Sequence, residues 1–241
     1  MSSEHFPSSE PKVEVRRTED GSATLFVPAL NEHYHSTHGA RQESQHVFIE
    51  AGLRPLLAAG GTTAGQPLRV LEVGLGTGLN AVLTLEANQG APTESFLEYD
   101  GLETFPLPPA VVAALRPEWD QQGEWLGRHF AYLHAAPWDV PVEMTPWFTI
   151  WKRQQPLQTA VLHPGRYHLI YFDAFAPEKQ PELWSEEIFQ KLYAAAAPGA
   201  VLVSYCAQGQ FRRNLRAAGW LTEKLPGPPG KREMTRARKP A

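Results

Sequence analysis

The chain has 241 residues, a formal net charge of −4 and an ordinary hydrophobic content of 42%. This length fits one domain with a substantial core, and no apolar run approaches the roughly 18–20 residues of a membrane span. The N-terminus lacks the basic and then apolar order of a signal peptide, and the single cysteine, Cys206, cannot form an internal disulfide. These features predict a cytoplasmic globular protein without membrane contact.

The first quarter of the chain is predicted to be an extension of the main domain. Residues 1–20 are polar and are expected to form a flexible N-terminus. Asp20-Gly21 lies between two extended runs, Lys12–Thr18 and Ala23–Val27, and predicts a β-hairpin. A helix is expected over residues 42–57. We therefore predict that residues 21–66 form a hairpin and a helix that pack on the core.

Residues 67–236 are predicted to be the main domain, followed by a tail over 237–241. Strands are expected at Leu68–Val73, Ser95–Leu102, Trp147–Lys152, Tyr167–Phe172 and Ala200–Tyr205, with helices at Asn80–Asn88, Ser185–Ala197 and Phe211–Ala218. Two further strands, at 220–225 and 233–236, are expected to close the sheet. The alternation of strands and helices predicts an α/β fold with a doubly wound, mostly parallel sheet. Residues 104–146, rich in proline and tryptophan, are expected to form a helical insertion over it.

The first strand of this domain leads directly into Gly74-Leu-Gly-Thr-Gly78. The spacing lacks the last glycine of the dinucleotide fingerprint, and no Gly-Lys-Ser/Thr follows, which excludes a P-loop. Glu72, just before the glycines, favours a ligand with a positive charge. The combination resembles the first motif of the S-adenosylmethionine-dependent methyltransferases, whose cofactor would then contact Glu72, Gly74, Gly76, Gly78 and Asn80. The alternative is a strand-to-helix turn without a ligand.

Three acids, Glu72, Glu103 and Asp173, follow or end successive predicted strands, so they should line one crevice. Glu103 is expected to accept hydrogen bonds from both ribose hydroxyls of the cofactor, with Asp100 as the alternative. Asp173 opens the stiff loop Asp173-Ala-Phe-Ala-Pro177 over the cofactor. We expect Asp173 to contact the cofactor and to be the catalytic residue that orients an attacking amine or accepts its proton.

Several separated motifs, in order from about residue 20 to 236, share one family resemblance. They are Asp20–Leu25, Asn31–Ser36, Glu43–Phe48, Glu72–Asn80, Gly101–Leu107, Asp173–Trp184 and Gly230–Met234. The set resembles the tRNA methylaminomethyl-uridine methyltransferase family, called MnmC in its fused form and MnmD when it stands alone. The resemblance implies a Rossmann-like class I S-adenosylmethionine-dependent methyltransferase with an N-terminal extension and a helical insertion.

What the resemblance implies for activity is methylation of the 5-aminomethyl group on a wobble 2-thiouridine, within the anticodon stem-loop of tRNA. The product would be 5-methylaminomethyl-2-thiouridine. Fused members carry an FAD-dependent oxidase domain; here a separate oxidase acting upstream is a possible partner. Many methyltransferases place an acid after the third strand to bind adenine, whereas this chain reads Lys152-Arg-Gln-Gln-Pro156. Gln154, Gln155 or a backbone carbonyl is left for that contact.

Candidates for substrate binding come from an aromatic loop and from a basic C-terminal stretch. Tyr34, His35 and Ser36 are expected to form part of the target pocket, where an aromatic ring stacks on a flipped base, with Phe175 nearby. From Phe211 to Ala241 nine basic residues stand against two acids, which predicts a local basic face. Our candidates for tRNA phosphates are Lys179, Arg212, Arg213, Lys231 and Arg232.

Three other features favour structural roles or other functions. The histidines at 33, 35, 38 and 46 lack a neighbouring cysteine or a suitably spaced acid, so no metal is expected. Cys206 is expected to be a core residue, because amine methylation needs no enzyme nucleophile. Two alternative functions keep the fold: a methyltransferase or aminopropyltransferase for small amines, tested by activity on free amines, and a non-enzymatic nucleoside-binding module.

Overall fold

The structure is a computed structural model that describes residues 12–19, 21–34, 39–60, 66–89 and 95–241. Its first part is a three-stranded antiparallel sheet of β1 (Glu14–Arg17), β2 (Ala23–Val27) and β3 (Glu32–His33). The β1–β2 pairing confirms the predicted hairpin. Most of the predicted flexible N-terminus lies outside the described residues, and its described part includes strand β1.

A continuous helix follows the small sheet and confirms the helix predicted over 42–57. It consists of α1 (Ala40–Ser44), a π-helical segment (Gln45–Leu53) and α2 (Arg54–Ala59). At its centre Gly52 packs closely on the main sheet, because a Cβ there would lie 3.0 Å from the Val203 side chain. The extension is therefore docked against the core. The π-helical segment has nine residues, longer than the single-turn bulges in which π-helix mostly occurs.

The main sheet has eight strands. They are β4 (Leu68–Val73), β5 (Leu97–Glu103), β6 (Pro141–Thr145), β7 (Phe148–Gln154), β8 (Tyr167–Phe172), β9 (Ala196–Ser204), β10 (Leu221–Pro226) and β11 (Glu233–Arg238). Their order is β10-β11-β9-β8-β4-β5-β7-β6. The five central strands are parallel, β6 and β11 run antiparallel to them, and the edge strand β10 pairs antiparallel with β11. The predicted α/β fold with a mostly parallel sheet is confirmed.

Helices cover both faces of this sheet, which is why its central strands are continuous apolar runs. The helices are α3 (Leu79–Gln89), α4 (Pro109–Gln121), α5 (Glu124–Ala135), α6 (Glu186–Ala195) and α7 (Gly209–Ala217), with a 3-10 turn at Pro181–Leu183. Val70 of β4 belongs to the core that α3, α4, α5 and the extension share. The next residue, Leu71, belongs to the core under α6 and α7.

Three boundaries differ from the sequence-based expectation. The insertion contains the two helices α4 and α5, but it also ends in the edge strand β6. The helix expected to reach Ala197 stops at Ala195, since Ala196 already pairs with Tyr167 of β8. The expected tail is held in place, because Lys239 Nζ donates hydrogen bonds to the carbonyls of Tyr193 and Ala196.

The order of the strands determines where a ligand can bind. The chain winds outward from β4 through β5 to β7, and in the other direction from β8 to β9. The carboxyl ends of β4 and β8 are therefore neighbours at the point where the direction reverses, which is where open α/β sheets bind ligands.

In the part of the chain that the structure describes, no helix is long and apolar enough to cross a membrane.

Candidate active site

A cavity of about 1200 Å³ lies at this point of the sheet. Its walls come from the glycine loop after β4, the end of β5, the segment after β7, the loop after β8, the N-terminal extension and the β10–β11 loop. The lining residues that matter below are Tyr34, Glu43, Gly74, Gly76, Glu103, Asp173, Phe175, Lys179, Tyr205 and Lys231. All but Glu43 and Tyr205 were predicted from the sequence as site residues.

A Cβ on each of the three glycines of this loop would lie 3.0 Å or less from a neighbouring atom. Gly74 has φ +89, and a Cβ there would lie 2.5 Å from the carbonyl oxygen of Asp173. A Cβ on Gly76 would meet the ring of Tyr34 at 3.0 Å. Gly78 lacks a side chain for a different reason, because a Cβ on it would lie 2.8 Å from the Leu133 side chain of α5. Two of the three glycines therefore border the cavity, and Gly78 allows a helix to pack on the loop.

Glu103 is the last residue of β5 and lines the cavity. Its Oε2 accepts a hydrogen bond from the Gly76 backbone N–H at 2.9 Å, and its Oε1 accepts one from that of Phe105 at 2.8 Å. Burial raises the pKa of this carboxyl group, and these backbone donors oppose the rise. The alternative acid, Asp100, does not line the cavity and instead accepts a hydrogen bond from the Tyr167 hydroxyl at 2.6 Å. Glu103 thus has the position that a ribose-binding acid requires.

Asp173 belongs to a hydrogen-bonded chain of four side chains. Asn80 Nδ2 donates to Asp173 Oδ2 at 2.8 Å and also to Glu72 Oε1 at 2.8 Å. The Tyr99 hydroxyl donates to Glu72 Oε2 at 2.7 Å. Burial, and next the charge of Glu43, raises the pKa of Asp173 to about 7. Asp173 can therefore take up or release a proton near neutral pH.

Glu72 has a different position from the one we predicted. Its side chain is 0% exposed, it does not line the cavity, and burial raises its pKa well above the usual range. Because both its oxygens accept hydrogen bonds within the protein, it supports Asn80 from behind the cavity wall. Asn80 likewise lies behind the wall, and its Oδ1 is buried without a hydrogen-bond partner among the described residues.

Two aromatic rings stand at one side of the cavity. Tyr34 meets Phe175 edge to face, with ring centroids 5.1 Å apart. The loop that carries Phe175 is fixed, because its carbonyl accepts a hydrogen bond from Trp184 Nε1 at 2.9 Å and its N–H donates to Gln180 Oε1 at 3.0 Å. Trp184 itself is buried in the core. The predicted residues His35 and Ser36 lie outside the described residues.

Sequence reasoning gave Glu43 no role, yet it faces Asp173 from the extension. Lys231 Nζ lies 2.6 Å from Glu43 Oε2 and 4.2 Å from the centroid of the Tyr205 ring. The Tyr205 hydroxyl donates to the Ala174 carbonyl at 2.8 Å, next to Asp173. Glu43 lies in one of the motifs that carry the family resemblance, and that was the available signal. Lys231, predicted as a phosphate ligand, reaches into the cavity instead.

The remaining basic candidates divide by exposure. Arg212 is wrong as a free phosphate ligand, because it is 8% exposed and its Nη1 pairs with Glu233 at 3.3 Å. Arg213 and Arg232 are exposed, and Lys179 lines the cavity. The candidates for tRNA phosphates that remain are therefore Arg213, Arg232 and Lys179.

Two further expectations concern the adenine contact and Cys206. Gln155 lines the cavity, whereas Gln154 does not. This favours Gln155 between the two glutamines left open for the adenine. Cys206 is buried, and burial raises the pKa of its thiol, as suits a core residue. In the described part of the chain, no three histidine, cysteine or acidic side chains form a group that suits a metal ion.

The residues present fit S-adenosyl-L-methionine. Gly74 and Gly76 line the cavity with bare backbone, which a ligand can approach closely. Acids on the cavity wall suit a cationic sulfonium, and Glu103 suits ribose hydroxyls. The fold and the lining residues together are therefore typical of Rossmann-like methyltransferases that use this cofactor. A family model described as "S-adenosyl-L-methionine-dependent methyltransferase" matches residues 155–240.

Comparison with known proteins confirms the more specific resemblance. The chain is 32% identical over 225 residues to the tRNA 5-methylaminomethyl-2-thiouridine biosynthesis bifunctional protein MnmC of Magnetococcus marinus, covering 88% of this chain and 32% of that protein. It is 32% identical over 216 residues to MnmC of Pseudomonas aeruginosa, covering 86% of this chain and 32% of that protein. The chain thus resembles the MnmC proteins over most of its own length and spans about a third of theirs.

Solved structures agree on the fold. The crystal structure of MnmC2 from Aquifex aeolicus matches with a TM-score of 0.75 and 21% identity, covering 98% of this chain and 74% of that chain. Spermidine synthase from Thermotoga maritima matches with a TM-score of 0.57 and 14% identity, covering 97% of this chain and 70% of that chain. At such identities both matches concern the fold alone.

Proposed function

We propose that this chain methylates the primary amine of 5-aminomethyl-2-thiouridine at the wobble position of tRNA, giving 5-methylaminomethyl-2-thiouridine. The observation that carries the proposal is Asp173, an acid with a pKa of about 7 in a cavity beside the glycine loop. The MnmC resemblance over 88% of the chain supports the choice of substrate.

The cofactor site is assigned from the cavity wall. The backbone at Gly74 and Gly76 and the carboxylate of Glu103 would hold S-adenosyl-L-methionine, with Gln155 on the adenine side. When bound, this cofactor supplies an electrophilic methyl group on a sulfonium centre. Glu103 stays in place because two backbone N–H groups already bind its oxygens, and a carboxylate has further lone pairs for ribose hydroxyls.

Asp173 prepares the amine. Only the neutral amine carries the lone pair needed for attack, so the ammonium form must lose a proton. With a pKa of about 7, Asp173 is partly ionised at neutral pH and accepts this proton. Asn80 fixes Oδ2 of Asp173, so the carboxylate meets the nitrogen in one orientation. General-base help of this kind contributes about 10²–10⁴-fold to the rate, and orientation contributes about 7 kcal/mol or more.

The aromatic side of the cavity suits the target base. Tyr34 and Phe175 present ring faces and edges beside Asp173, and a flipped uracil ring stacks on such groups. Arg213, Arg232 and Lys179 would contact tRNA phosphates around the opening. A separate FAD-dependent oxidase would act upstream by supplying the aminomethyl group. Because the substrate is tRNA, we place the reaction in the cytoplasm.

The test uses tRNA from a strain that lacks this methyltransferase activity. The purified chain, S-adenosyl-L-methionine and that tRNA are incubated, and the nucleosides are analysed by mass spectrometry. We expect the aminomethyl-thiouridine to gain one methyl group, and Asp173→Ala to abolish this while Glu50→Gln, an exposed acid on the extension helix, does not. Methylation or aminopropylation of free polyamines without change in tRNA would instead favour the small-amine alternative.

A further inference from the structure

The ion pair between Glu43 and Lys231 joins distant parts of the chain beside Asp173. Glu43 is in α1, and Lys231 is in the loop between β10 and β11. The Nζ–Oε2 distance is 2.6 Å, and the Glu43 side chain is only 8% exposed. A second contact, 2.9 Å between His46 Nε2 and the Pro226 carbonyl oxygen, joins the same continuous helix to the end of β10, just before that loop. The pair is therefore held by its surroundings and is not a chance surface contact.

Both partners face the reaction centre. Glu43, Lys231, Asp173 and Tyr205 all line the one cavity. The Tyr205 ring lies against the Lys231 ammonium, and its hydroxyl binds the backbone next to Asp173. A carboxylate together with an aromatic face is a common binding site for an alkylammonium group. The substrate proposed above carries such a group.

We propose that Glu43 is the second carboxylate of the amine-binding site and that Lys231 is its positioning counter-ion. As a pair they are neutral beside Asp173, so Asp173 is the acid that takes the proton from the amine. This inference rests on the proposed amine substrate. Lys231 thereby has a role inside the cavity in place of a contact with tRNA phosphate.

The charges around Asp173 come from several elements. Among the described residues, the titratable and charged groups that face it are Glu72 on β4, Tyr99 on β5, Glu43 on α1, Tyr205 after β9 and Lys231 before β11. Of these, Glu43 raises the pKa of Asp173 and Lys231 lowers it. Removing either partner alone should therefore shift the titration of Asp173, and in opposite directions.

The first measurement needs neither cofactor nor tRNA. The titration of the Asp173 carboxyl is followed by carbon NMR on aspartate-labelled protein, with Asp173→Asn identifying the signal. We expect Glu43→Gln to lower the midpoint by about one pH unit, Lys231→Gln to raise it by a similar amount, and the double variant to lie near the wild type. Glu50→Gln on the same helix and Lys224→Gln on β10 are matched controls that should leave it unchanged.

The second measurement concerns amine binding. Glu43→Gln should raise KM for aminomethyl tRNA at least about fivefold while calorimetric affinity for S-adenosyl-L-methionine stays the same. Shifts in the same direction, or none in the two single variants, would overturn the inference even if tRNA is methylated. Opposite shifts in a protein that methylates no tRNA would leave the ion pair's effect on Asp173 standing and would refute the proposed function.

Discussion

Asn80 Nδ2 lies 2.8 Å from Asp173 Oδ2 and 2.8 Å from Glu72 Oε1, so one amide group bridges two carboxylates. These residues come from three elements: Glu72 from β4, Asn80 from the first turn of α3, and Asp173 from the end of β8. The bridge makes the orientation of Asp173 depend on the glycine loop, because α3 begins directly after that loop.

Replacing Asn80 by alanine should change the pH dependence of catalysis. The Asn80 hydrogen bond lowers the pKa of Asp173. Without it the pKa rises above about 7, so the basic form of Asp173 is scarcer at neutral pH. We expect the acidic limb of the pH–rate profile to move to higher pH and the rate at pH 7 to fall about tenfold or more. An unchanged limb would show that Asn80 does not act through Asp173.

Replacing Asp173 by asparagine should abolish methyl transfer and yet stabilise the fold at high pH. Burial raises the pKa of Asp173 from 3.8 to about 7, so the folded state binds more protons between these values. The stability that this group contributes is present at low pH and is lost as pH rises through 7. We expect the Tm of Asp173→Asn to exceed that of the wild type by a few degrees at pH 8. The difference should shrink at pH 5, as thermal scans at the two values will show.

Replacing Glu103 by alanine should weaken binding of S-adenosyl-L-methionine at least about tenfold, because it removes the proposed ribose acceptor and leaves the Gly76 N–H without its partner. Calorimetry measures this directly. Glu98→Gln is the control, since Glu98 is on the same strand and pairs with Arg69 and Arg166 away from the cavity. Equal affinities for the two variants would require another ribose acid.

Replacing Gly74 by alanine separates backbone strain from loss of space. Gly74 and Gly165 both have positive φ, but a Cβ would clash only at Gly74, 2.5 Å from the Asp173 carbonyl oxygen. Gly165→Ala should cost about 1–2 kcal/mol of stability from its left-handed conformation. Gly74→Ala should lower the Tm further and also reduce cofactor affinity. If the two variants have the same Tm and affinity, the close approach at Gly74 is unimportant.

The exposed arginines Arg213 and Arg232 should behave differently toward tRNA from the buried Arg212. Arg213→Ala and Arg232→Ala should each weaken tRNA binding. Each should also reduce the slope of log affinity against log salt concentration by about one, the value for one lost phosphate contact. Arg212→Ala should leave the salt slope unchanged and lower the Tm, because it breaks the pair with Glu233. Filter binding at several salt concentrations checks the first effect and thermal scans check the second. If tRNA binding by the wild type does not depend on salt concentration, the proposed phosphate contacts are wrong.

Local patterns predicted the central part of the fold well. The apolar runs at 68–73 and 167–172 became strands with those same limits, because a strand buried on both faces leaves a continuous apolar signature. The placing of the glycine loop and Asp173 in one crevice was predicted from the strands that precede them, since the carboxyl ends of parallel strands meet at one edge of the sheet. The helix at 185–197 was predicted too long, because its alanines have high helix propensity while pairing with β8 decided their conformation.

The contacts that sequence reasoning missed are those between distant segments. Nothing near Glu43 indicates that Lys231 will pair with it, because the contact arises only when the extension docks beside the β10–β11 loop. Arg212 was misjudged because a count of charges does not show that one of them is turned inward toward Glu233. Glu72 was expected to contact the cofactor, and its complete burial behind the cavity wall could not be read from its place before the glycines.

The ion pair between Glu43 and Lys231 also determines how much of the chain the proposed amine site requires. A ribosome must release nearly the whole chain before the second partner is available, although the sheet from β4 to β9 is complete earlier. Shorter nascent chains would therefore contain a cofactor crevice with an unfinished amine site. On the proposed roles, chains that end before residue 231 should methylate no tRNA.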